Sequence, residues 1–77
     1  MATTMDNERA KRYRELWADE IAGASLYRTL AETADERRAP ILLALAEAEE
    51  RHAAHWAQLL TDAGVKDLQK PRLPFIK

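Results

Sequence analysis

The chain contains two long stretches with helical periodicity and one short break between them. From Met5 to Asp35 there is no proline and only one glycine, which predicts a single helix of about 30 residues. The break covers residues 35–40 and ends in Pro40. Proline suits the first turn of a second helix, because no intrahelical hydrogen bond is lost there.

These signals predict an all-α fold, a two-helix antiparallel hairpin. We expect helix 1 at about residues 5–35 and helix 2 at about residues 39–63, ended by Gly64 as a left-handed cap. The turn between them is short, which favours antiparallel packing of neighbours. Residues 1–64 would form the hairpin domain, and residues 65–77 would form an extended tail or linker.

Each half of the chain carries a seam of residues spaced alternately three and four apart, as in a helix bundle. The seam of the first half is Tyr13, Trp17, Glu20, Ala24, Tyr27, Ala31 and Ala34. The seam of the second half is Leu42, Leu45, Glu49, His52, Trp56 and Leu59. Both seams are expected to be buried, so the ionisable groups at their centres require an explanation.

Three ionisable residues, Glu20, Glu49 and His52, interrupt these apolar seams. A buried carboxylate needs a partner, a proton or a metal ion. Glu20 lies about 15 residues before the turn, and the other two lie about 10 to 13 residues after it, so all three should reach a similar level of the hairpin. We predict that they form one metal site, with Glu20 and Glu49 bridging the ions and His52 completing the coordination.

The chain is short, which limits the core that one copy can build. At 77 residues with no cysteine, it has neither a large core nor disulfides, so oligomerisation, a metal or both are expected. A two-fold homodimer would give a four-helix bundle, with a possible further assembly into higher oligomers.

Such a dimer would bring together one Glu from each of two helices and a Glu-x-x-His from each of the other two. That is the ligand set of di-iron and di-manganese carboxylate bundles. We therefore expect a di-iron centre with two ions per dimer, and Mn or Zn would also suit these donors.

Composition excludes two other classes. A formal net charge of -1 disfavours a nucleic-acid binder, because no excess of basic residues exists to neutralise phosphates. Apolar runs such as residues 39–46 are far shorter than the roughly 20 residues of a membrane span. Charged residues occupy the amino terminus where a signal peptide would be apolar, so a cytoplasmic location is expected.

Several neighbouring residues have two interpretations. Tyr27 is interpreted as a core residue first, and as a hydrogen-bonding or redox partner of the site second. His55 could supplement His52 but lies off the seam. The small residues 22–25 favour close helix approach over room for a ligand.

The aromatic residues Trp17 and Trp56 are expected in the core or in the dimer interface. Glu47 and Glu50 are interpreted as surface acids, and Glu47 could pair with Arg51 one turn away. A rival function is a structural or adaptor hairpin that recruits a protein partner through a seam or the tail. A domain that senses metal without turnover is a third interpretation.

A spaced pattern of residues in both halves of the chain is similar to that of a known family. The pattern is Tyr13-x-x-x-Trp17-x-x-Glu20-x-x-Gly23-Ala24-x-x-Tyr27-x-x-Leu30-Ala31, then Leu45-Ala46-x-x-Glu49-x-x-His52-Ala53-x-x-Trp56. It resembles the rubrerythrin branch of the ferritin-like superfamily, most of all the amino-terminal ferritin-like domain of bacterial membrane-bound ferritins. Encapsulated ferritins are also similar, since they build the site from two-helix subunits that dimerise.

The resemblance implies carboxylate-bridged iron, oxidation of Fe(II) by dioxygen, and a role in iron storage, export or detoxification. Glu20 and Glu49 match the family's metal carboxylates, and His52 matches its imidazole ligand. It further implies fusion to or association with a membrane iron transporter or an encapsulating shell. Two departures from the family pattern are that the sequence contains neither a Cys-rich rubredoxin module nor the transporter portion. Because the rubredoxin module is missing, peroxidase activity through such a module is not implied.

Overall fold

A computed structural model describes residues 5–66 and 68, and in it the chain forms two α-helices packed against each other. Helix α1 spans Asn7–Thr33 and helix α2 spans Ala39–Asp62. The described residues contain no strand, so the predicted all-α hairpin is confirmed. Neither helix is long and apolar enough to cross a bilayer. The predicted tail lies almost wholly outside the described residues.

Both helices differ slightly from their predicted bounds because of the residues at their ends. Helix α1 begins after Asp6, whose Oδ1 accepts a hydrogen bond of 2.8 Å from the backbone N–H of Arg9. Helix α2 ends before Gly64, which has a φ of 90°. The N–H of Val65 then bonds the carbonyl of Leu60 at 3.0 Å, as expected for a glycine in the left-handed region after a helix.

The reversal between the helices is organised by Asp35. Its Oδ1 accepts hydrogen bonds from the backbone N–H groups of Arg37 at 3.0 Å and Arg38 at 2.8 Å. Pro40 is the second residue of α2, where a missing N–H costs no helical hydrogen bond. The chain therefore turns within five residues and sends α2 back along α1.

Side-chain pairs between the helices show that they run antiparallel. As the residue number in α1 rises, that of its partner in α2 falls. The pairs are Tyr13 with Trp56, Glu20 with His52, and Arg28 with Glu50. This register brings the middle of α1 to the middle of α2.

The core of the hairpin is thin. The buried apolar residues of the described chain are Trp17, Ala24, Ala46, Ala53 and Leu60. Three of these five are alanines, so the helices approach closely but bury little side-chain volume.

The predicted seam of α1 agrees with the structure, whereas that of α2 agrees at four of its six positions, which are half-buried: Leu42, Glu49, Trp56 and Leu59. Every position of the α1 seam is buried or half-buried. In α2 the buried stripe is Ala46, Ala53 and Leu60, while Leu45 is 41% exposed and His52 is also exposed. The spacing predicts Leu45 and His52 in the seam, but the buried positions lie one residue further along the chain, at Ala46 and Ala53.

Candidate metal centre

The two helices bring Glu20, Glu49 and His52 into one cluster. A ligand atom from each residue lies within 4.8 Å of the others. Glu49 and His52 are three residues apart on α2 and so project from nearly the same side. Glu20 reaches them from α1, with its Oε2 lying 3.3 Å from Nδ1 of His52. The structure thus places all three predicted ligands together.

The electrostatics of the cluster are set by two acids in contact. A hydrogen bond with the Glu20 carboxyl raises the pKa of Glu49, and burial and the charge of Glu20 raise it further. His52 acts in the opposite direction. No Lys or Arg of the described chain forms an ion pair with Glu20 or Glu49. The cluster therefore has more negative charge than its own residues neutralise.

This donor set fits a divalent transition-metal ion. Two carboxylates and one imidazole suit Fe, Mn and Zn. A bound cation would favour the ionised form of both acids and remove the repulsion between them. The residues present thus match in type, charge and separation what an iron site requires.

The cluster opens on one side of the hairpin. The side chain of Glu20 is 22% exposed and that of His52 is 60% exposed. Leu45 lies four residues before Glu49 and seven before His52, so it shares their side of α2. Four exposed apolar residues, which we call the site flank, lie on this side. Ile41 and Leu45 are eight and four residues before Glu49, while Leu26 and Leu30 are three and seven residues after Gly23, the α1 residue nearest to the Glu49 carboxylate.

Gly23 lies directly against the carboxylate of Glu49. A Cβ added at position 23 would lie 2.9 Å from Oε2 of Glu49. The neighbouring Ala24 is the residue buried between the helices. Of residues 22–25, Ala24 is thus the one buried between the helices, and Gly23 is the one nearest to a carboxylate of the cluster.

The remaining candidates lie outside the cluster. His55 is exposed, and its ring meets Trp56 edge-on at a centroid distance of 5.2 Å. Trp56 also packs against Tyr13 at 5.2 Å. Tyr27 is half-buried, and its hydroxyl has no hydrogen-bond partner within the described residues. Trp17 is buried in the core as expected.

An ion pair that the sequence did not predict lies on the opposite flank. Arg28 donates two hydrogen bonds to Glu50, from Nε to Oε2 at 3.0 Å and from an Nη to Oε1 at 2.7 Å. Both side chains are about half exposed. The expected pair between Glu47 and Arg51 is not found among the described ion pairs. Glu50 is a surface acid, as predicted, but its partner is on the other helix.

A comparison with known protein families identifies the relatives of this chain. The family model described as Rubrerythrin matches residues 5–73, nearly the whole chain. The chain belongs to the rubrerythrin family. Members of the rubrerythrin family typically bind iron, which agrees with the donor set of the cluster. No curated protein and no solved structure gives a significant match, so the finer resemblance to membrane-bound ferritins stays a prediction.

Proposed function

We propose that this rubrerythrin-family chain binds a di-iron centre between two copies of its hairpin and oxidises Fe(II) with dioxygen, in iron storage, export or detoxification. The observation that carries the proposal is the meeting of Glu20, Glu49 and His52 within 4.8 Å across two helices. These residues would hold the metal. When bound, iron would supply the electrons for reduction of dioxygen, each Fe(II) losing one.

The residues of the chain have separate tasks in this proposal. Glu20 and Glu49 would hold the ions, because their carboxylates supply the negative charge that attracts and retains cations. His52, whose ring is exposed, would supply an imidazole nitrogen as a further ligand. Glu20, 3.3 Å from the His52 ring, can orient that imidazole.

A second copy of the chain is needed on two grounds. One chain offers two carboxylates and one imidazole, whereas two ions require the four carboxylates and two imidazoles of a pair. The site flank is also apolar and exposed on the side to which the cluster opens. A two-fold dimer through this flank would cover it and would add the missing ligands.

Iron stoichiometry and mass test the binding step together. After anaerobic loading with Fe(II) and desalting, we expect about one iron per chain in a dimer or a multiple of it, with mass measured by light scattering across a size-exclusion peak. A folded dimer without iron would contradict the proposal and favour the adaptor hairpin.

Two leucines of equal exposure test whether the dimer uses the site flank. Leu45 and Leu43 are both 41% exposed, but Leu43 lies seven residues before Glu50 and so shares the opposite flank. We expect L45K to give monomers that retain little iron, because charge on the covered face opposes association. L43K should remain a dimer with normal iron content. Equal behaviour of the two variants would contradict this interface.

Dioxygen consumption separates oxidation from binding. On adding Fe(II) to the aerobic dimer, we expect uptake of dioxygen faster than that of Fe(II) in buffer alone, with ferric absorbance rising in step. Binding of Fe(II) without faster uptake would instead indicate a metal sensor.

A further inference from the structure

The backbone conformation of Gly23, the single glycine inside α1, does not require glycine. Among the described glycines, only Gly64 has a positive φ, so Gly23 adopts a conformation open to any residue. Glycine destabilises a helix interior relative to alanine, and both neighbours, Ala22 and Ala24, are alanines. An explanation for glycine at position 23 therefore has to come from the side chains that lie next to it.

The atoms nearest to Gly23 on the side of its missing Cβ belong to one side chain. The three atoms nearest to a Cβ at this position all belong to Glu49: Oε2 at 2.9 Å, Cδ at 3.5 Å and Cγ at 3.7 Å. Carbon and oxygen atoms that are not bonded do not normally approach within 3 Å, so the carboxylate would have to move. The backbone of α2 is not among these nearest atoms. The first obstacle to a side chain at position 23 is therefore the Glu49 carboxylate and not the backbone of α2.

We propose that Gly23 is a positioning residue of the metal centre. Its missing side chain provides the space in which the Glu49 carboxylate lies, within reach of Glu20 and His52. Any side chain at position 23 moves that carboxylate and lowers metal affinity. This inference rests on the proposed metal-binding function and adds a residue that is not itself a ligand.

Binding of Co(II), a probe that is stable in air, tests the proposal on the full chain. We expect G23A to bind Co(II) about 10-fold more weakly than the wild type or worse, as is typical when a residue that orients a ligand is lost. The visible spectrum of bound Co(II) should change as well, because it reports the ligand geometry. The matched control is A22G at the adjacent residue. It changes helix propensity by a similar amount and should leave the Co(II) affinity and the Co(II) spectrum unchanged.

A second measurement without metal separates positioning from packing. In the E49A background the obstructing carboxylate is gone, so G23A should raise the unfolding midpoint by a few degrees through better helix propensity. Loss of stability or failure to fold in that background would mean that the helices need glycine for packing, and it would overturn the proposal.

The outcomes also separate this inference from the proposed function. Absence of Co(II) and Fe(II) binding by the wild type would overturn both. Normal wild-type binding with unchanged affinity and spectrum in G23A would overturn the role of Gly23 alone and leave the metal centre in place.

Discussion

Two neighbouring residues of α2, Glu49 and Glu50, make contacts with α1 that differ in the charge of the partner. Glu50 faces Arg28 in a bidentate pair whose charges cancel. Glu49 faces another acid, Glu20, with only His52 to offset them. The first contact is complete within one chain, whereas the second has unbalanced negative charge. The two contacts therefore differ in charge balance: Arg28 neutralises Glu50 within the chain, whereas no Lys or Arg of the described residues pairs with Glu20 or Glu49.

The largest expected effect distinguishes these two glutamates directly. E49Q should abolish iron retention, because it removes one of two carboxylates at the centre, while E50Q should retain the wild-type iron content. Each substitution removes one negative charge from the same turn of α2, so a general loss of charge affects both variants alike. The measurement is iron per chain after anaerobic loading and desalting. Similar iron content in the two variants would remove the proposed difference between the flanks.

An intermediate effect concerns the pH dependence of the metal-free protein. The pKa of Glu49 is raised above the value of 4.5 that applies without a folded environment. A carboxyl group whose pKa is raised by folding stabilises the fold at pH values below its pKa in the unfolded chain. This stability is lost as the pH rises through its pKa in the folded protein. With a chelator present, the unfolding midpoint of the wild type should therefore fall relative to E49Q over that range. A difference that grows with pH in favour of the wild type would contradict the contact between the acids.

The smallest effect is expected on the flank opposite the site. R28A removes a pair in which both side chains are about half exposed, and pairs of this kind contribute little to stability and are screened by salt. We expect a decrease of the unfolding midpoint by a few degrees at most, smaller still in high salt, with no change in iron content. A loss of iron in R28A would show that the two flanks are coupled.

The sequence predicts the hairpin and its cluster because the relevant signals are local. Helical spacing fixes the side of each helix on which Glu20 and Glu49 lie, and counting from the turn fixes their level. The α1 seam agrees with the observed burial for the same reason. The break before Pro40 likewise follows from backbone chemistry alone.

Other features depend on how the two helices are rotated against each other, which spacing within one helix does not determine. The spacing predicts an α2 seam through Leu45, but Ala46 is buried and Leu45 is exposed. The partnership of Arg28 with Glu50 depends on the same rotation. The role of Gly23 could not be assigned either, because the sequence does not show which side chain of α2 lies over it.

The alanine-rich core makes the stability of the proposed dimer depend on protein concentration. A hairpin held by Ala24, Ala46 and Ala53 gains little free energy from its own packing, so much of its stability would come from association. Iron retention would then depend on the concentration of the protein itself. A cell that makes more of this chain would gain affinity per site as well as the number of sites.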